Sequence, residues 1–505
     1  MKKLTYKEYI IGADIGTTGC KTIIIDSNGN LIDSKIEYYQ IKQPKVGWAE
    51  QNPEDWYNAF KKSVRYLLRK NKIKKDEIIG IGLDGMMNSP VFLNKSGKIL
   101  RTCILWMDQR STKQVKLIKE KILMKKIDAI NLSLLSTIFM LTKILWVKEN
   151  QPIFWKKTYK ILLPKDYVRF KLTEAFVTDI SDASATGIFD IKKLYWSNEI
   201  CEALDIDIEK LPDVVPSTKI VGYTSAKTSR EIGIAKDIPI VAGCSDGAAD
   251  CLTAGVINAA DCLVRLGTTG AIFIVTEKPI IDVSNQFFIL AHCIQNKWLM
   301  HQIFPFGILH KWFYYTFYEK EIKNILRKRK NFYSIIERKI EKIPPGSDGL
   351  IFYPHLMPST SEYMKGSFFG ITLNHKKEHF TRALLEGIAF SLKEVFMPSL
   401  KFIPSINNIK LVGGGSKSKL IVKIICNVLG VKGLVPSFQD ASLGAAILGG
   451  IGSNVFKNPI EAIKKCVKIE SITKPSLNIQ RKYEKLFAIF LKIRQDIIES
   501  YRLLN

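Results

Sequence analysis

The chain carries the same short phrase twice, about half a chain apart. Residues 14–19 read Asp-Ile-Gly-Thr-Thr-Gly and residues 265–270 read Arg-Leu-Gly-Thr-Thr-Gly. Each copy follows an apolar run, Tyr9–Ala13 or Asp261–Val264. Each precedes another, Lys21–Ile25 or Ala271–Val275. Run, glycine-bounded turn and returning run spell a strand, a tight turn and a strand. A repeat at this spacing predicts two related domains facing each other. The length of 505 residues agrees, because single cores stop growing at roughly 250–300 residues.

Composition removes several function classes. Hydrophobic residues make up 46% of the chain and mean hydropathy is +0.03. No run approaches the ~18 apolar residues that span a bilayer. Met1-Lys2-Lys3 is basic, but the strand-like Tyr9–Asp14 that follows ends on a charge and is no signal segment. The nine cysteines contain no Cys-x-x-Cys pair, and the six histidines show no metal-type spacing. Reduced thiols and a cytoplasmic location are expected. The net charge is +27, yet the lysines are spread along the whole chain. The dense basic runs, Leu68–Lys75 and Leu326–Lys330, read as solvated helix faces, so neither nucleic acid nor membrane is an expected partner.

Further along, strands are expected near Leu31–Tyr39, Ile78–Leu83, Val91–Leu93, Ile238–Ala242, Ile409–Val412 and Val431–Val435. Helices are expected from Pro53 to about Arg69, at several places between about 111 and 205, and over His379–Phe396, Ser416–Leu429 and Ala441–Gly450. A further helix is expected from about Lys474 to Leu504. This alternation points to an α/β architecture.

Five places could carry chemistry. The Gly-Thr-Thr-Gly turns are ordinary hairpin turns or, as a pair, concave anion sites built from N–H groups and hydroxyls. Asp14 is a turn aspartate or a carboxylate for Mg2+ beside phosphates. Lys21 is a surface lysine or a phosphate contact. Asp246 follows a buried strand and opens a small-residue helix, so it is an N-cap or a base that accepts a hydroxyl proton. Gly413-Gly414-Gly415-Ser416 is a flexible strand–helix link or a floor for a flat ring.

The motifs resemble the FGGY carbohydrate kinases over nearly the whole chain. Gly12–Thr18 looks like the family's first phosphate segment, and Gly47-Trp48-Ala49-Glu50-Gln51-Asn52-Pro53 looks like its Gly-Trp-x-Glu-Gln-x-Pro signature. Lys143–Asn150 resembles the core of one further signature, although Met140 stands where a small residue or proline is usual. Gly366–Ile371 followed by His379–Glu386 resembles another.

The resemblance implies two duplicated actin-like (ribonuclease-H-like) domains with an inter-domain cleft. Residues 1–253 would bind sugar and carry the first phosphate turn, 254–455 would bind nucleotide, and 456–505 would be a helical extension. ATP and Mg2+ would be the cofactors. The partners would be a small-molecule sugar and ATP, with a homodimer left open.

Carried over residue by residue, the resemblance makes Asp246 the catalytic base, with Asp14 and Asp246 near the metal. Gly16, Thr17, Thr18, Lys21, Gly267, Thr268 and Thr269 would hold phosphates. Gly413, Gly414, Gly415, Ser416 and Asn427 would hold adenosine. Met87, Asn88, Trp106, Asp108, Arg110 and Asp246 would contact the sugar. Leu162–Tyr167, Thr178–Ser184 and Ile104–Ser111 look most like the xylulokinase branch.

Three departures bear on the substrate. Met87-Asn88 stands where that branch usually has Met-His, and neither residue of the glycerol-kinase Arg-Glu pair is present. Met357-Pro358-Ser359-Thr360-Ser361 replaces a Gly-Glu-Arg-x-Pro element. Arg265 replaces a usually small residue. The implied reaction is phosphorylation of a pentulose such as D-xylulose. The alternatives are another FGGY substrate (a hexulose, gluconate or a tetritol) or a non-catalytic actin-like ATP-binding protein.

Overall fold

The computed structural model describes residues 7–124, 134–280, 286–327, 332–356, 365–403 and 405–503. The described residues pack as two units. One holds residues up to Ala259 together with Val275–Met300 and Phe438–Lys468. The other holds Ala260–Ile274, His301–Ser437 and the residues from Ile469 onward.

The repeat seen in sequence is a repeat of topology. In the first sheet Leu31–Tyr38, Gly19–Asp26, Tyr9–Ile15, Ile78–Gly85, Pro239–Val241 and Ile220–Tyr223 lie in that order. In the second, Trp298–Pro305, Thr269–Thr276, Cys262–Leu266, Asn408–Val412, Lys432–Pro436 and Ile469–Thr473 do the same. Each sheet carries an antiparallel Gly-Thr-Thr-Gly hairpin. Two parallel pairings follow, then an antiparallel edge.

The strands form where apolar, β-branched runs can be buried. Every residue of Tyr9–Ile15 except Asp14 is buried. The helix Pro53–Asn71 starts where expected: the Asn52 side chain accepts from the Glu54 N–H, and proline takes the first turn. The region 111–205 is less purely helical than its sequence suggests, with short strands at Lys160–Leu162 and Val177–Asp179. The stretch after 455 also holds a strand, Ile469–Thr473, besides its helices Pro459–Cys466 and Leu477–Leu503.

The small-residue helix Ser442–Gly452 explains why Phe438–Lys468 returns to the first unit. It lies against the strands Tyr9–Ile15 and Ile78–Gly85. A Cβ on Gly12 would meet the Ser442 carbonyl oxygen at 2.1 Å, and one on Gly82 would meet that of Ala445 at 1.9 Å. Glycine on the strands and glycine and alanine on the helix allow this approach of backbone to backbone. The sequence boundaries at 253 and 455 therefore do not follow the packing for this segment.

Candidate active site

Three parallel strands of the first unit end side by side. Asp14 lies opposite Asp84, and Asp84 lies opposite Cys244, one pair before the strands stop. The helix Asp246–Thr253 starts directly after Ser245. The carboxyl edge of this sheet thus gathers Asp14, Asp84 and Asp246, where open α/β sheets place their ligands. Asp14 is partly buried and its Oδ1 has no hydrogen-bond partner. Asp84 is fully buried and neither carboxylate oxygen has one. Burial pushes both carboxyls well above the usual carboxylate range, and the nearby charges of Asp440, Asp246 and Asp250 push them further.

The turn beside these carboxylates is firmly held. The Gly16 N–H donates to the Gly19 carbonyl at 3.2 Å, and Gln51 Nε2 donates to the Thr17 carbonyl at 2.8 Å. Trp106 Nε1 donates to Thr17 Oγ1 at 3.0 Å. That bond occupies an acceptor site of the hydroxyl and leaves its proton free to point elsewhere. Lys21 pairs with Asp440 at 2.8 Å and also stands over the Phe438 ring.

Asp246 is the first residue of its helix, and Ser245 holds the N-cap position without a side-chain cap. Asp246 Oδ1 accepts from the Gly247 N–H at 2.8 Å. The loop before it is anchored from two sides. Arg169 donates to the Ala242 carbonyl. The Ser245 N–H donates to Ser181 Oγ at 2.9 Å, and Ser181 Oγ donates to Asp179 at 2.6 Å. Asp179 in turn pairs at 2.9 Å with Lys165, a fully buried ammonium that also meets Asp166 and Asp182. The stretches Leu162–Tyr167 and Thr178–Ser184 stood out in sequence only as branch markers. In the fold they support the segment that presents Asp246.

The residues expected around a sugar divide into two groups. Asp108 and Arg110 are committed to each other: Asp108 Oδ1 accepts from Arg110 N and Nε, and Oδ2 accepts from Arg110 at 2.8 Å and from the Ala49 N–H at 2.6 Å. Arg110 also reaches Glu50 at 2.7 Å and stacks 3.6 Å over Trp48. They brace the Gly47–Pro53 signature. Met87, Asn88 and Trp106 lie nearer the strand end. Asn88 sits at φ 62, a left-handed conformation that asparagine tolerates better than most residues. Its Oδ1 accepts from the Met140 N–H at 3.0 Å, at the head of the helix Met140–Asn150. The substituted segment 357–361 lies outside the described residues.

In the second unit, Thr268 and Thr269 are exposed at the turn. The carbonyls of Gly267 and Thr268 accept from the N–H groups of Gly307 and Ile308 at 3.1 and 3.0 Å. Arg265 stands 6.0 Å from the Phe273 ring. The three glycines at 413–415 differ in role. Gly413 has φ +89, and a Cβ there would meet the Leu266 carbonyl oxygen at 2.9 Å; one on Gly415 would meet Phe306 at 2.5 Å. A Cβ on Gly414 would meet nothing within 4 Å. Two glycines let the loop close on the strand before the second Gly-Thr-Thr-Gly turn, and the middle one faces open space. Ser416 Oγ donates to the Gly413 carbonyl at 2.8 Å. Asn427 donates to the Lys423 carbonyl at 2.8 Å and accepts from the Ser476 N–H at 2.7 Å, tying its helix to the start of the C-terminal one.

Among the described residues no three His, Cys, Asp or Glu side chains converge closely enough to cage a metal ion. Mg2+ does not need such a cage. It takes one or two carboxylates and fills its octahedron with waters and phosphate oxygens. The orphaned carboxylate oxygens of Asp14 and Asp84 fit that demand. Asp84 was missed in sequence because it sits just past the expected end of its strand at Leu83. Its register with Asp14 is a long-range fact that no local pattern carries.

Comparison with known proteins identifies relatives along the whole chain. The profile of the FGGY family of carbohydrate kinases, N-terminal domain, matches residues 9–253, and that of the family's C-terminal domain matches 262–453. The chain is 30% identical over 492 residues to a xylulose kinase of Bacillus subtilis, covering 96% of each chain. It is 28% identical over 499 residues to a gluconokinase of the same organism, covering 98% of this chain and 97% of that one. The structure of ligand-bound xylulose kinase from Lactobacillus acidophilus matches with a TM-score of 0.88 at 26% identity, over 99% of this chain and 100% of that one. The fold is the duplicated actin-like (ribonuclease-H-like) α/β fold. No helix among the described residues is long and apolar enough to cross a membrane.

Proposed function

We infer from one premise — the chain belongs to the FGGY family of carbohydrate kinases — that it transfers the γ-phosphoryl group of ATP to a hydroxyl of a pentulose such as D-xylulose. The observation that carries this reading is Asp246 at the head of its helix, beside Asp14 and at the carboxyl edge of the first sheet. Asp246 accepts the proton of the attacking sugar hydroxyl. The hydroxyl oxygen forms a bond to the γ-phosphorus, the bond to the β,γ-bridging oxygen breaks, and ADP leaves.

Each remaining residue has a positioning or electrostatic part. The N–H groups and hydroxyls of Gly16-Thr17-Thr18 and of Gly267-Thr268-Thr269 hold phosphate oxygens. The bond from Trp106 leaves the Thr17 proton free to be donated to one of them. Asp14 would hold Mg2+, which when bound would neutralise charge on the phosphates. Gly414, open on its free side, lies against the adenosine. Met87, Asn88 and Trp106 shape the sugar side, and Asp108 and Arg110 stiffen the wall behind it.

A second substrate class has its own support. Met140 takes one acceptor site of Asn88 Oδ1, and the amide keeps its N–H donors for a substrate. A donor suits the carboxylate of an aldonate as well as a sugar hydroxyl, and a gluconokinase is among the full-length relatives. A coupled ADP-release assay with Mg-ATP separates the readings across D-xylulose, L-xylulose, D-ribulose, D-fructose, gluconate, glycerol and erythritol. Turnover highest with D-xylulose is the expected result. Turnover with gluconate and not with D-xylulose would move the substrate to the second class.

A further inference from the structure

The mechanism above uses Asp14 and leaves its neighbour Asp84 without a task. The two stand directly opposite on adjacent parallel strands, so their side chains leave the sheet on the same face. Asp84 is completely buried, and neither of its carboxylate oxygens meets an N–H or O–H donor. Asp14 Oδ1 is orphaned in the same way. An ionised carboxylate buried without a partner is among the costliest arrangements in a protein interior, and two in contact repel.

The nearby ammonium groups have other partners. Lys21 is held by Asp440, and Lys165 is held by Asp166, Asp179 and Asp182. A hard divalent cation would satisfy the orphaned oxygens of both carboxylates at once and cancel their repulsion. Thr17 lies only three residues beyond Asp14, so a cation held there would meet phosphate oxygens entering the turn.

We propose that Asp84 is, together with Asp14, a direct ligand of the divalent cation that accompanies ATP. The cation site of this chain is then a two-carboxylate site that exists before the nucleotide arrives. This rests on the reading of Asp14 as a metal residue, and the test keeps the two apart.

The test uses the full-length, nucleotide-free protein with Mn2+ as the probe, free Mn2+ being read by electron paramagnetic resonance. Wild type should take up one Mn2+. Asp84→Asn, which keeps the shape and removes a charge, should bind it at least about tenfold more weakly. Asp14→Asn is titrated beside it. Wild-type affinity in Asp84→Asn with weakened affinity in Asp14→Asn would overturn the role of Asp84 and leave that of Asp14 intact. Unchanged affinity in both variants would overturn both. Should Asp84→Asn not fold, Asp84→Ser replaces it in the same titration. Thermal melts give a second readout. In EDTA, Asp84→Asn should melt above wild type because the repulsion is gone, and Mg2+ should raise the wild-type Tm but not that of the variant. A wild-type Tm that Mg2+ leaves unmoved would mean that the two carboxyls share a proton instead, and the proposal would fall.

Discussion

The strand entering the first turn ends in Asp14-Ile15, and its parallel neighbour places Asp84 opposite Asp14. The strand entering the second turn ends in Arg265-Leu266, and its parallel neighbour places Val412 opposite Arg265. The order of six strands, the hairpin and the turn residues are otherwise the same in both sheets. One fold has therefore been charged in opposite senses at one position. On the proposal above, the carboxylates behind the first turn would hold a cation; on the same reading, the guanidinium behind the second would attract phosphate directly.

Four experiments break or sharpen that division. The largest effect belongs to the first unit. Asp246→Ala should lower kcat at least about a hundredfold, the low end of a general-base contribution, in a protein that still folds and binds ATP. Near-normal turnover in steady-state ADP-release assays would remove Asp246 from the chemistry. In the second unit, Arg265→Asp copies the charge of the first turn into the second. It should raise KM for ATP about tenfold, the ratio that roughly 1.4 kcal/mol of lost attraction produces. An unchanged KM would mean that the charge asymmetry has no part in nucleotide binding.

The glycine loop gives a smaller and internally controlled effect. Gly413→Ala forces a left-handed backbone on alanine and drives a methyl at the Leu266 carbonyl. It should cost about 1–3 kcal/mol of stability, read as a lower urea midpoint. Gly414→Ala should leave that midpoint in place and raise KM for ATP. Equal stability losses at both positions would deny Gly414 its open face.

The smallest effect is one of pH. Burial holds the His310 imidazole down at about 4, against an ordinary 6.5. Between those values the unfolded chain binds more protons than the folded one, so stability rises with pH across that window and falls on acidification below about 6.5. His310→Phe should flatten that slope in urea titrations at pH 7 and pH 5. An unchanged slope would place the acid sensitivity elsewhere, with His301, also held near 4 by burial and by Arg265, as the next residue to test.

Much of this was legible in sequence because it is local. The Gly-Thr-Thr-Gly phrases, the apolar runs beside them, Pro53 at a helix start and Gly413 at a loop all act through neighbours in the chain. What stayed hidden depends on register. Parallel pairing alone sets Asp84 against Asp14. Asp108 and Arg110 read as substrate contacts, and only the fold adds that they are bonded to each other. The strand Ile469–Thr473 was overlooked because its side chains are mostly exposed. Backbone pairing with Lys432–Pro436 holds it in place, and such a strand leaves a faint hydropathy signal.

The return of Phe438–Lys468 to the first unit bears on how the protein is made. Gly12 and Gly82 precede the helix that covers them, Ser442–Gly452, by several hundred residues. The first sheet cannot be sealed until the ribosome has made that helix. Contacts this distant in sequence favour slow closure and a long exposure of apolar strands to other chains. A chain cut at Ser437 would leave that face of the sheet bare, so the first unit cannot be produced by truncation. It could be made alone only by tethering Phe438–Lys468 back to it through a linker.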